Sequence, residues 1–276
     1  MPPKISVIIP CFNQAEFLDD CVNSVLGQTT HDFEIIVVDD GSTAEASKKI
    51  LDNFSREKTT LIRQKNMGLP GARNTGIKHA KGKYILPLDC DDKISSDVLK
   101  KCSEYLDLHG ECGICGGLTE FFGDKTGIWN LPKYSYPEIL KANCLVCTNM
   151  FRKCDWNKIG GYNPNMKYGL EDWDFWLSII ELGRTVFQFD KVFLYYRKHG
   201  RTLISNVSGN NKRHKQMIKQ IIKNHRKTYD RFPEIVKSIK RDLSPWFGIK
   251  KFLIRILCFF IPSRDLRHRI KACFLN

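Results

Sequence analysis

The 276-residue sequence lacks several features that would assign its class at once. It contains no apolar run of about twenty residues, the length that a helix needs to cross a bilayer. It shows no fixed-period repeat and no low-complexity segment, which excludes a repeat architecture. The start of the chain leads directly into an apolar strand rather than a charged region and a cleavage site, so we expect no secretory signal.

A regular disulfide framework is also missing, although the chain holds eleven cysteines. Most of them are scattered singly, although Cys112 with Cys115 and Cys144 with Cys147 each have a C-x-x-C spacing. Cys112 and Cys115 lie in a predicted strand, so we expect strand packing there rather than a zinc site. We therefore expect reduced, mostly buried cysteines in a cytosolic protein.

Positive charge is abundant but confined to one end of the chain. Residues 201–276 hold 19 Lys or Arg and 4 Asp or Glu, a balance of +15, whereas residues 1–200 hold 25 and 26, a balance of −1. The excess charge is therefore a property of a C-terminal appendage and not of the main body. No nucleic-acid recognition motif accompanies it, so we expect no nucleic-acid partner.

Strands and helices alternate through the first part of the chain. Apolar runs predict strands at Ile5–Pro10, Glu34–Val38, Thr60–Arg63 and Tyr84–Leu88. Helices are predicted at Ala15–Gly27, after a capping box of Ser42 and Glu45, and at Pro70–Ala80. This rhythm indicates βαβ units, hence an α/β fold with a mostly parallel sheet flanked by helices.

Two of these strands end in acids, Asp39-Asp40 and Asp89-Cys90-Asp91-Asp92. In a parallel sheet both ends meet at one edge, where open α/β sheets bind their ligands. Asp89 and Asp91 point the same way if the extended geometry continues past the strand. Such oxygen ligands suit Mg²⁺ or Mn²⁺, whereas a solvated turn that caps the next helix is the alternative.

Six segments, in order and spacing, resemble motifs of family 2 glycosyltransferases. They are Ser6–Asn13, Val38–Ser42, Gly68–Gly76, Leu88–Asp92, Gly169–Trp176 and Tyr196–His199. The resemblance runs from about residue 4 to about residue 205, with a mild departure at Pro70-Gly71. It implies a GT-A fold, a nucleotide-sugar donor, a divalent metal and inversion at the anomeric carbon.

The resemblance also implies roles for individual residues. The implied nucleotide-binding residues are Pro10, Phe12, Glu16, Asp40, Arg73, Asp89 and Arg197. Asp40 would accept from the base, Asp89 would contact the ribose or a water, and Arg197 lies in a basic cluster suited to a diphosphate. Asp91 and His199 would hold the metal, although His199 could instead make a phosphate or structural contact. The alternatives for Phe12 and Arg73 are a core residue and a surface helix residue.

A catalytic base is predicted at the start of a later helix. Asp172, Phe175, Trp176 and Ile179 share one helical face. The helix N-terminus should favour the ionised carboxylate, and inverting transfer needs a base for the acceptor hydroxyl. We predict Asp172 as the base, with Glu171 supporting it or binding the acceptor. An ordinary N-terminal helix acid is the alternative.

The remaining segments predict two further regions. Residues 1–110 form the nucleotide-binding half and residues 111–205 the acceptor-side half, with strands at Cys112–Phe122, Leu145–Phe151, Val186–Phe189 and Val192–Tyr196. Trp129, Tyr134 and Tyr136 could stack on a sugar or pack in the core. Residues 206–276, called the basic tail below, predict amphipathic helices at Asn210–Phe232 and Phe252–Ile261. The second suits an interfacial helix on anionic lipid, and docking on the catalytic domain is its alternative.

The resulting functional prediction is an inverting, metal-dependent glycosyltransferase. It would move a sugar from a nucleoside-diphosphate donor, with UDP preferred, to a hydroxyl of a glycan or lipid-linked acceptor. We expect it on the cytoplasmic face of the cell membrane, in bacterial surface polysaccharide synthesis. Intact Asp91 and Asp172 argue against a non-catalytic scaffold of the same fold. A sugar-phosphate nucleotidyltransferase would carry a glycine-rich phosphate loop where Pro10–Asn13 stands.

Overall fold

The computed structural model describes residues 2–200 and 211–243. The strands are β1 Ile5–Cys11, β2 Phe33–Asp39, β3 Thr59–Arg63, β4 Tyr84–Pro87, β5 Lys93–Ile94, β6 Cys112–Gly123, β7 Gly127–Ile128, β8 Met150–Arg152 and β9 Thr185–Lys198. The helices are α1 Leu18–Leu26, α2 Glu45–Asp52, α3 Gly68–His79, α4 Val98–Leu108, α5 Lys153–Ile159, α6 Glu171–Glu181, α7 Asn211–Asn224, α8 Arg226–Tyr229 and α9 Pro233–Asp242. Short 3₁₀ turns lie at Ala15–Phe17 and Glu138–Leu140.

The described strands join in one sheet of order β3-β2-β1-β4-β8-β6-β9-β5, with β7 beside β6. β1 pairs in parallel with β2 and β4, and β2 pairs in parallel with β3. β8 is antiparallel to β4 and β6, whereas β9 is parallel to β6. Every residue of β1 is buried, as expected for a central strand covered on both faces. The predicted α/β class is confirmed.

Helix α3 lies close against this sheet because of a glycine. A Cβ at Gly76 would lie 2.5 Å from Ile8 Cγ2 and 3.2 Å from Val38 Cγ2, so only glycine allows the contact between the helix and β1 and β2. Arg73 lies one turn before Gly76, nearer the carboxyl edge of these strands. The close packing therefore brings Arg73 to the edge where ligands bind in such sheets.

The second half of the sheet differs from its predicted strands. The separate strands predicted at Val186–Phe189 and Val192–Tyr196 are one strand, β9, which follows β6 with register shifts. The strand predicted at Leu145–Phe151 shrinks to Met150–Arg152. Ahead of it, Asn149 Nδ2 donates to Val146 O at 2.6 Å, a local contact that replaces strand pairing.

The predicted capping box is wrong. α2 begins at Glu45, and Ser42 Oγ accepts from Asn13 N at 3.1 Å instead of capping the helix. Asn13 Oδ1 accepts from the backbone N–H groups of Thr43 and Ala44 at 2.7 and 2.8 Å. A side chain from the end of β1 therefore satisfies the donors ahead of this helix.

The chain divides into two compact units, residues 1–225 and 226–276. α7 belongs to the first unit, and the helix predicted at Asn210–Phe232 is interrupted at His225. α8 and α9 belong to the second unit, and the predicted helix Phe252–Ile261 lies outside the described residues. Within the described ranges, no helix combines the length and apolar character needed to cross a bilayer.

Candidate active site

The three acids after β4 lie in a tight turn rather than an extended strand. β4 ends at Pro87, and Asp92 N donates to Asp89 O at 3.0 Å. The strand alternation expected for Asp89 and Asp91 therefore does not apply. Asp89 faces Arg73, whereas Asp91 faces His199. The turn thus presents its carboxylates to two different groups of side chains.

Arg73 bridges this turn to helix α6. Its Nη2 donates to Asp89 Oδ1 at 2.7 Å, and its Nη1 donates to Glu171 Oε1 at 2.6 Å. Arg73 is only 1% exposed, which excludes the alternative that it is a surface helix residue. Its guanidinium carbon also lies 5.5 Å from the centre of the Tyr162 ring. One buried cation therefore connects the acids of the two halves of the sequence.

Helix α6 starts from a backbone in the left-handed region. Gly169 has φ +98° and Leu170 has φ +62°. A left-handed conformation costs a residue with a Cβ about 1–2 kcal/mol. Leu170 O nevertheless accepts the first helical hydrogen bond, from Asp174 N at 3.1 Å. Contacts with other parts of the protein must hold Gly169 and Leu170 in this conformation, because a strained backbone persists only where the surrounding structure fixes it.

Asp172 lies at the head of α6 and is half-buried. Its Oδ2 accepts from Asn143 Nδ2 at 3.1 Å and its Oδ1 from Trp173 N at 2.7 Å. Burial and then the neighbouring charge of Glu171 raise the pKa of Asp172 to about 7. The expected stabilisation of the ionised form by the helix N-terminus is therefore outweighed. A pKa near 7 suits a general base that works near neutral pH.

Two side chains at this site were missed by the sequence analysis. Cys147 Sγ lies 3.5 Å from Asp89 Oδ2, so each oxygen of Asp89 has a partner. Asn143 holds Asp172, as described above. Both residues lie between β7 and β8, and no signal in the sequence connects either of them with Asp89 or Asp172.

Asp91 and His199 form a second cluster at the same edge. Asp91 Oδ2 and His199 Nε2 are 2.9 Å apart, and the His199 ring lies 4.6 Å from that of Phe17. Among the described residues, no group of three or more His, Cys, Asp or Glu side chains converges on a metal position. Two ligand atoms at this separation fit neighbouring corners of an octahedron with bonds of about 2.1 Å. Magnesium and manganese sites of this kind typically take further ligands from water and phosphate.

Asp92, the last residue of this turn, is buried. It is 1% exposed, and its Oδ1 accepts from Arg197 N at 2.8 Å. Its Oδ2 is buried and has no hydrogen-bond partner in the described part of the chain. Burial, followed by the charges of Asp91 and Asp89, raises the pKa of Asp92 well above its ordinary value. Asp89, Asp91 and Asp92 thus concentrate negative charge in one turn, and a bound cation would offset that charge.

Arg197 supports the turn from the end of β9. Its Nε donates to Asp91 O and its Nη2 to Asp20 Oδ2, both at 2.8 Å. Its guanidinium carbon lies 4.8 Å from the Phe17 ring centre and 4.4 Å from that of Phe122. The guanidinium is thus held by protein groups, and its contact with a diphosphate stays a prediction.

The residues predicted for the nucleoside lie at the ends of β1 and β2. Asp40 N donates to Cys11 O at 2.9 Å, so Asp40 sits beside the chain leading to Phe12. Asp40 is buried, and its Oδ1 accepts from Gln64 Nε2 at 2.6 Å and Met67 N at 2.8 Å. Phe12 is 42% exposed, which excludes core packing for its ring. Pro10 is buried within β1, and Glu16 is exposed in the following 3₁₀ turn.

The aromatic residues predicted for sugar stacking divide into two groups. Trp129 stacks on Phe121 at 5.1 Å, and Trp129 and Tyr134 line a cavity of about 260 Å³. Tyr136 is 45% exposed and is not part of that lining. The cavity lies between β6, β9 and the loop after β7, on the side predicted for the acceptor.

Known proteins resemble this chain in sequence and in fold. The model of the family described as Glycosyl transferase family 2 matches residues 6–168. A chondroitin synthase of Escherichia coli is 30% identical over 189 residues, which cover 66% of this chain and 27% of that protein. The chain spans about a quarter to a third of the length of the first curated relatives that it matches.

Two solved structures show the same fold at low identity. S. aureus TarS 1–349 in complex with UDP-GlcNAc is 20% identical with a TM-score of 0.61, covering 78% of this chain and 65% of that one. The Pyrobaculum calidifontis mannosyltransferase PcManGT in complex with GDP-Man and Mn²⁺ is 15% identical with a TM-score of 0.64, covering 100% and 85%. The matches confirm the predicted resemblance and the GT-A fold. The chain therefore belongs to glycosyl transferase family 2.

Proposed function

We propose that this chain is a glycosyltransferase that moves a sugar from a UDP-sugar to an acceptor hydroxyl with inversion at the anomeric carbon. The observation that carries the proposal is the Arg73 bridge, which joins Asp89 on the donor side to Glu171 on α6. It brings the predicted base, Asp172, beside the turn where the donor diphosphate would bind. An enzyme for direct displacement needs this juxtaposition, because base, acceptor and donor must meet in one site.

Asp172 acts as the general base of this reaction. As the acceptor oxygen bonds to the anomeric carbon, its proton passes to a carboxylate oxygen of Asp172. The bond between that carbon and the diphosphate breaks, and its electron pair leaves with the nucleoside diphosphate. Asn143 orients the base through the contact at 3.1 Å, and the pKa near 7 leaves a large ionised fraction at neutral pH.

The nucleoside binds at the ends of β1 and β2. The exposed Phe12 ring offers a stacking surface for the base, beside Pro10 and Glu16. Asp40 Oδ2 accepts from the base, since Oδ1 already accepts from Gln64 and Met67. Asp89 approaches the ribose, and Arg73 and Arg197 supply positive charge near the diphosphate. A UDP donor agrees with the UDP-GlcNAc complex of TarS.

Asp91 and His199 would hold a divalent cation, Mn²⁺ or Mg²⁺. Their ligand atoms lie 2.9 Å apart, and neighbouring Asp92 keeps an unpaired buried oxygen within the described residues. When bound, such a cation offsets the charge of the diphosphate leaving group. The Mn²⁺ complex of PcManGT agrees with this choice of cofactor.

The acceptor is a glycan or lipid-linked saccharide of a bacterial surface polysaccharide. The chondroitin synthase relative and the lining of Trp129 and Tyr134 support a saccharide acceptor. Residues 1–205 would form the catalytic domain, and the basic tail would bind the inner membrane face near a lipid-linked acceptor. The proposed membrane contact rests on the +15 balance of residues 201–276 and on the apolar run Phe252–Ile261.

A donor screen with the full-length protein tests this function. Thermal shift against UDP-, GDP- and TDP-sugars in Mn²⁺ should identify one selective ligand, because binding to the folded state raises the apparent stability. Hydrolysis of that donor and its transfer to a saccharide library should follow. No turnover with any nucleotide-sugar would contradict the enzyme mechanism and favour the scaffold alternative.

A further inference from the structure

The residue that directly follows α7, His225, contacts helix α6 through a buried charged group. His225 is 4% exposed, and its Nε2 lies 3.3 Å from Asp174 Oδ1. Its Nδ1 lies 3.0 Å from Glu181 Oε2. Burial alone would lower the pKa of the His225 imidazole, but its contacts with Asp174 and Glu181 raise it to about 9. His225 therefore presents a positive charge to α6 at neutral pH.

A neighbouring amide reinforces this contact. Asn224 Nδ2 donates to Asp174 Oδ1 at 2.5 Å. Asn224 Oδ1 accepts from Gln220 Nε2 at 2.8 Å and from Asn165 Nδ2 at 3.1 Å. These two donors fix which way the amide points, so its nitrogen is directed at Asp174. Asp174 is itself 2% exposed and would be an uncompensated buried charge without these partners.

Asp174 is placed to control the orientation of the catalytic acids. Its backbone N–H makes the first hydrogen bond of α6, to the strained Leu170. Glu171 and Asp172 lie between these two residues. Arg73 holds this turn from the donor side, and His225 with Asn224 holds it from the opposite end of the same turn. Loss of the contacts of Arg73, or of those of His225 and Asn224, would let the left-handed backbone at Gly169 and Leu170 relax and displace Asp172.

We propose that His225 and Asn224 are positioning residues that hold the catalytic helix through Asp174. They touch neither donor nor acceptor, and they act by keeping Asp172 aligned with Asn143 and Arg73. This inference rests on the proposed role of Asp172 as the base. It gives α7, the first helix of the basic tail, a function in the chemical step in addition to any role in attachment.

The test compares His225→Gln with His214→Gln, a matched change of a half-buried histidine within α7. His225→Gln keeps a hydrogen-bond donor of similar size but loses the charge. We expect kcat to fall at least about tenfold with the donor KM unchanged within about twofold, because a misplaced base affects the chemical step alone. His214→Gln should leave both constants unchanged.

Hydrogen exchange of the unliganded full-length protein gives a readout that does not depend on the reaction. Amides 171–177 should exchange faster in His225→Gln than in wild type, while the amides of β1 and β2 stay protected. The double variant Asp174→Asn/His225→Gln removes both charges, so it should recover kcat to within about threefold of wild type.

Three outcomes would overturn the proposal. The first is unchanged exchange in α6. The second is faster exchange with an unchanged kcat. The third is a loss of kcat that accompanies faster amide exchange across the whole sheet and is not recovered in the double variant. That result would make the contact merely structural. Failure of the proposed function is distinct, because it would appear as an Asp172→Asn enzyme that still transfers sugar.

Discussion

Arg73 and Glu171 are 98 positions apart in sequence, yet they form a buried charge-assisted hydrogen bond of 2.6 Å. The same guanidinium contacts Asp89, so one side chain fixes the acidic turn relative to α6. Paired buried charges of this kind are stabilising only while every partner is present. The stability of this part of the site therefore depends on Arg73.

Replacing Arg73 should destabilise the whole first unit. Arg73→Met leaves Glu171 and Asp89 without their buried cation, so we expect a loss of about 3–5 kcal/mol in the free energy of unfolding. Arg56→Met is the control, since Arg56 forms an exposed ion pair with Asp19 at 2.6 Å and should cost less than about 1 kcal/mol. Urea unfolding followed by tryptophan fluorescence measures both. Equal small losses in the two variants would contradict the structural role of the bridge.

The proposed base should affect transfer but not donor binding. Asp172→Asn keeps the hydrogen bond from Trp173 N but cannot take a proton, so kcat should fall about 10²- to 10⁴-fold. Calorimetric titration should give an unchanged Kd for the donor. Glu45→Gln, an exposed acid in the first turn of α2, should leave both quantities unchanged. Transfer by Asp172→Asn at near wild-type rate would show that another group is the base.

Replacing Asp91 or His199, the proposed cation ligands, should weaken cation binding as well as activity. Asp91→Ala removes the carboxylate ligand, so Mn²⁺ affinity and Mn²⁺-dependent donor binding should fall at least about tenfold. His199→Ala should weaken Mn²⁺ binding in the same direction. Asp52→Ala, which removes an exposed partner of Arg63, is the control. Electron paramagnetic resonance of free Mn²⁺ measures the affinity, and an Asp91→Ala protein that binds Mn²⁺ like wild type would refute the assignment.

Much of the fold could be predicted because its signals are local. The apolar run of β1 and the alternation of strands with helices depend on residues that are neighbours in sequence. The acids at the ends of β2 and β4 follow from the same reasoning, since parallel strands share an edge. The strand after Leu145 could not be predicted correctly, because local bonds such as that of Asn149 to Val146 O replace sheet pairing there.

The contacts that orient the site residues and shift their pKa values could not be predicted, because they form only when distant segments fold together. Asn143 reaches Asp172 across 29 positions, and no pattern in either segment indicates the other. Asn13, not Ser42, satisfies the donors ahead of α2, since the end of β1 folds over that turn. The pKa of Asp172 depends on burial and on Glu171, so the helix position alone indicated the wrong direction.

Membrane attachment should depend on the end of the basic tail. Each Lys or Arg near an anionic surface contributes about 1 kcal/mol, so three or four of them suffice for reversible binding that salt weakens. Deleting residues 245–276 should move the protein from sedimented anionic vesicles to the supernatant while donor hydrolysis continues. Vesicles of neutral lipid are the control. Equal sedimentation of truncated and full-length protein at low salt would contradict membrane binding by this segment.

The pH dependence of activity should report the environment of Asp172. Its raised pKa of about 7 means that the base is mostly protonated below neutral pH, so kcat/KM should fall about fivefold between pH 7 and pH 6. An ordinary aspartate would stay active down to about pH 4. The same raised pKa stabilises the folded state at low pH, and this stabilisation is lost as pH rises through 7. Titration of Asp172 alone therefore cannot cause acid unfolding.

The variant Glu171→Gln removes a charge that raises the pKa of Asp172. The pH range in which kcat/KM falls on the acid side should therefore move to lower pH. The pH profiles of kcat/KM for wild type and Glu171→Gln test this prediction, with melting temperatures at each pH as the control. An acid-side fall that stays at the same pH or moves to higher pH would refute it.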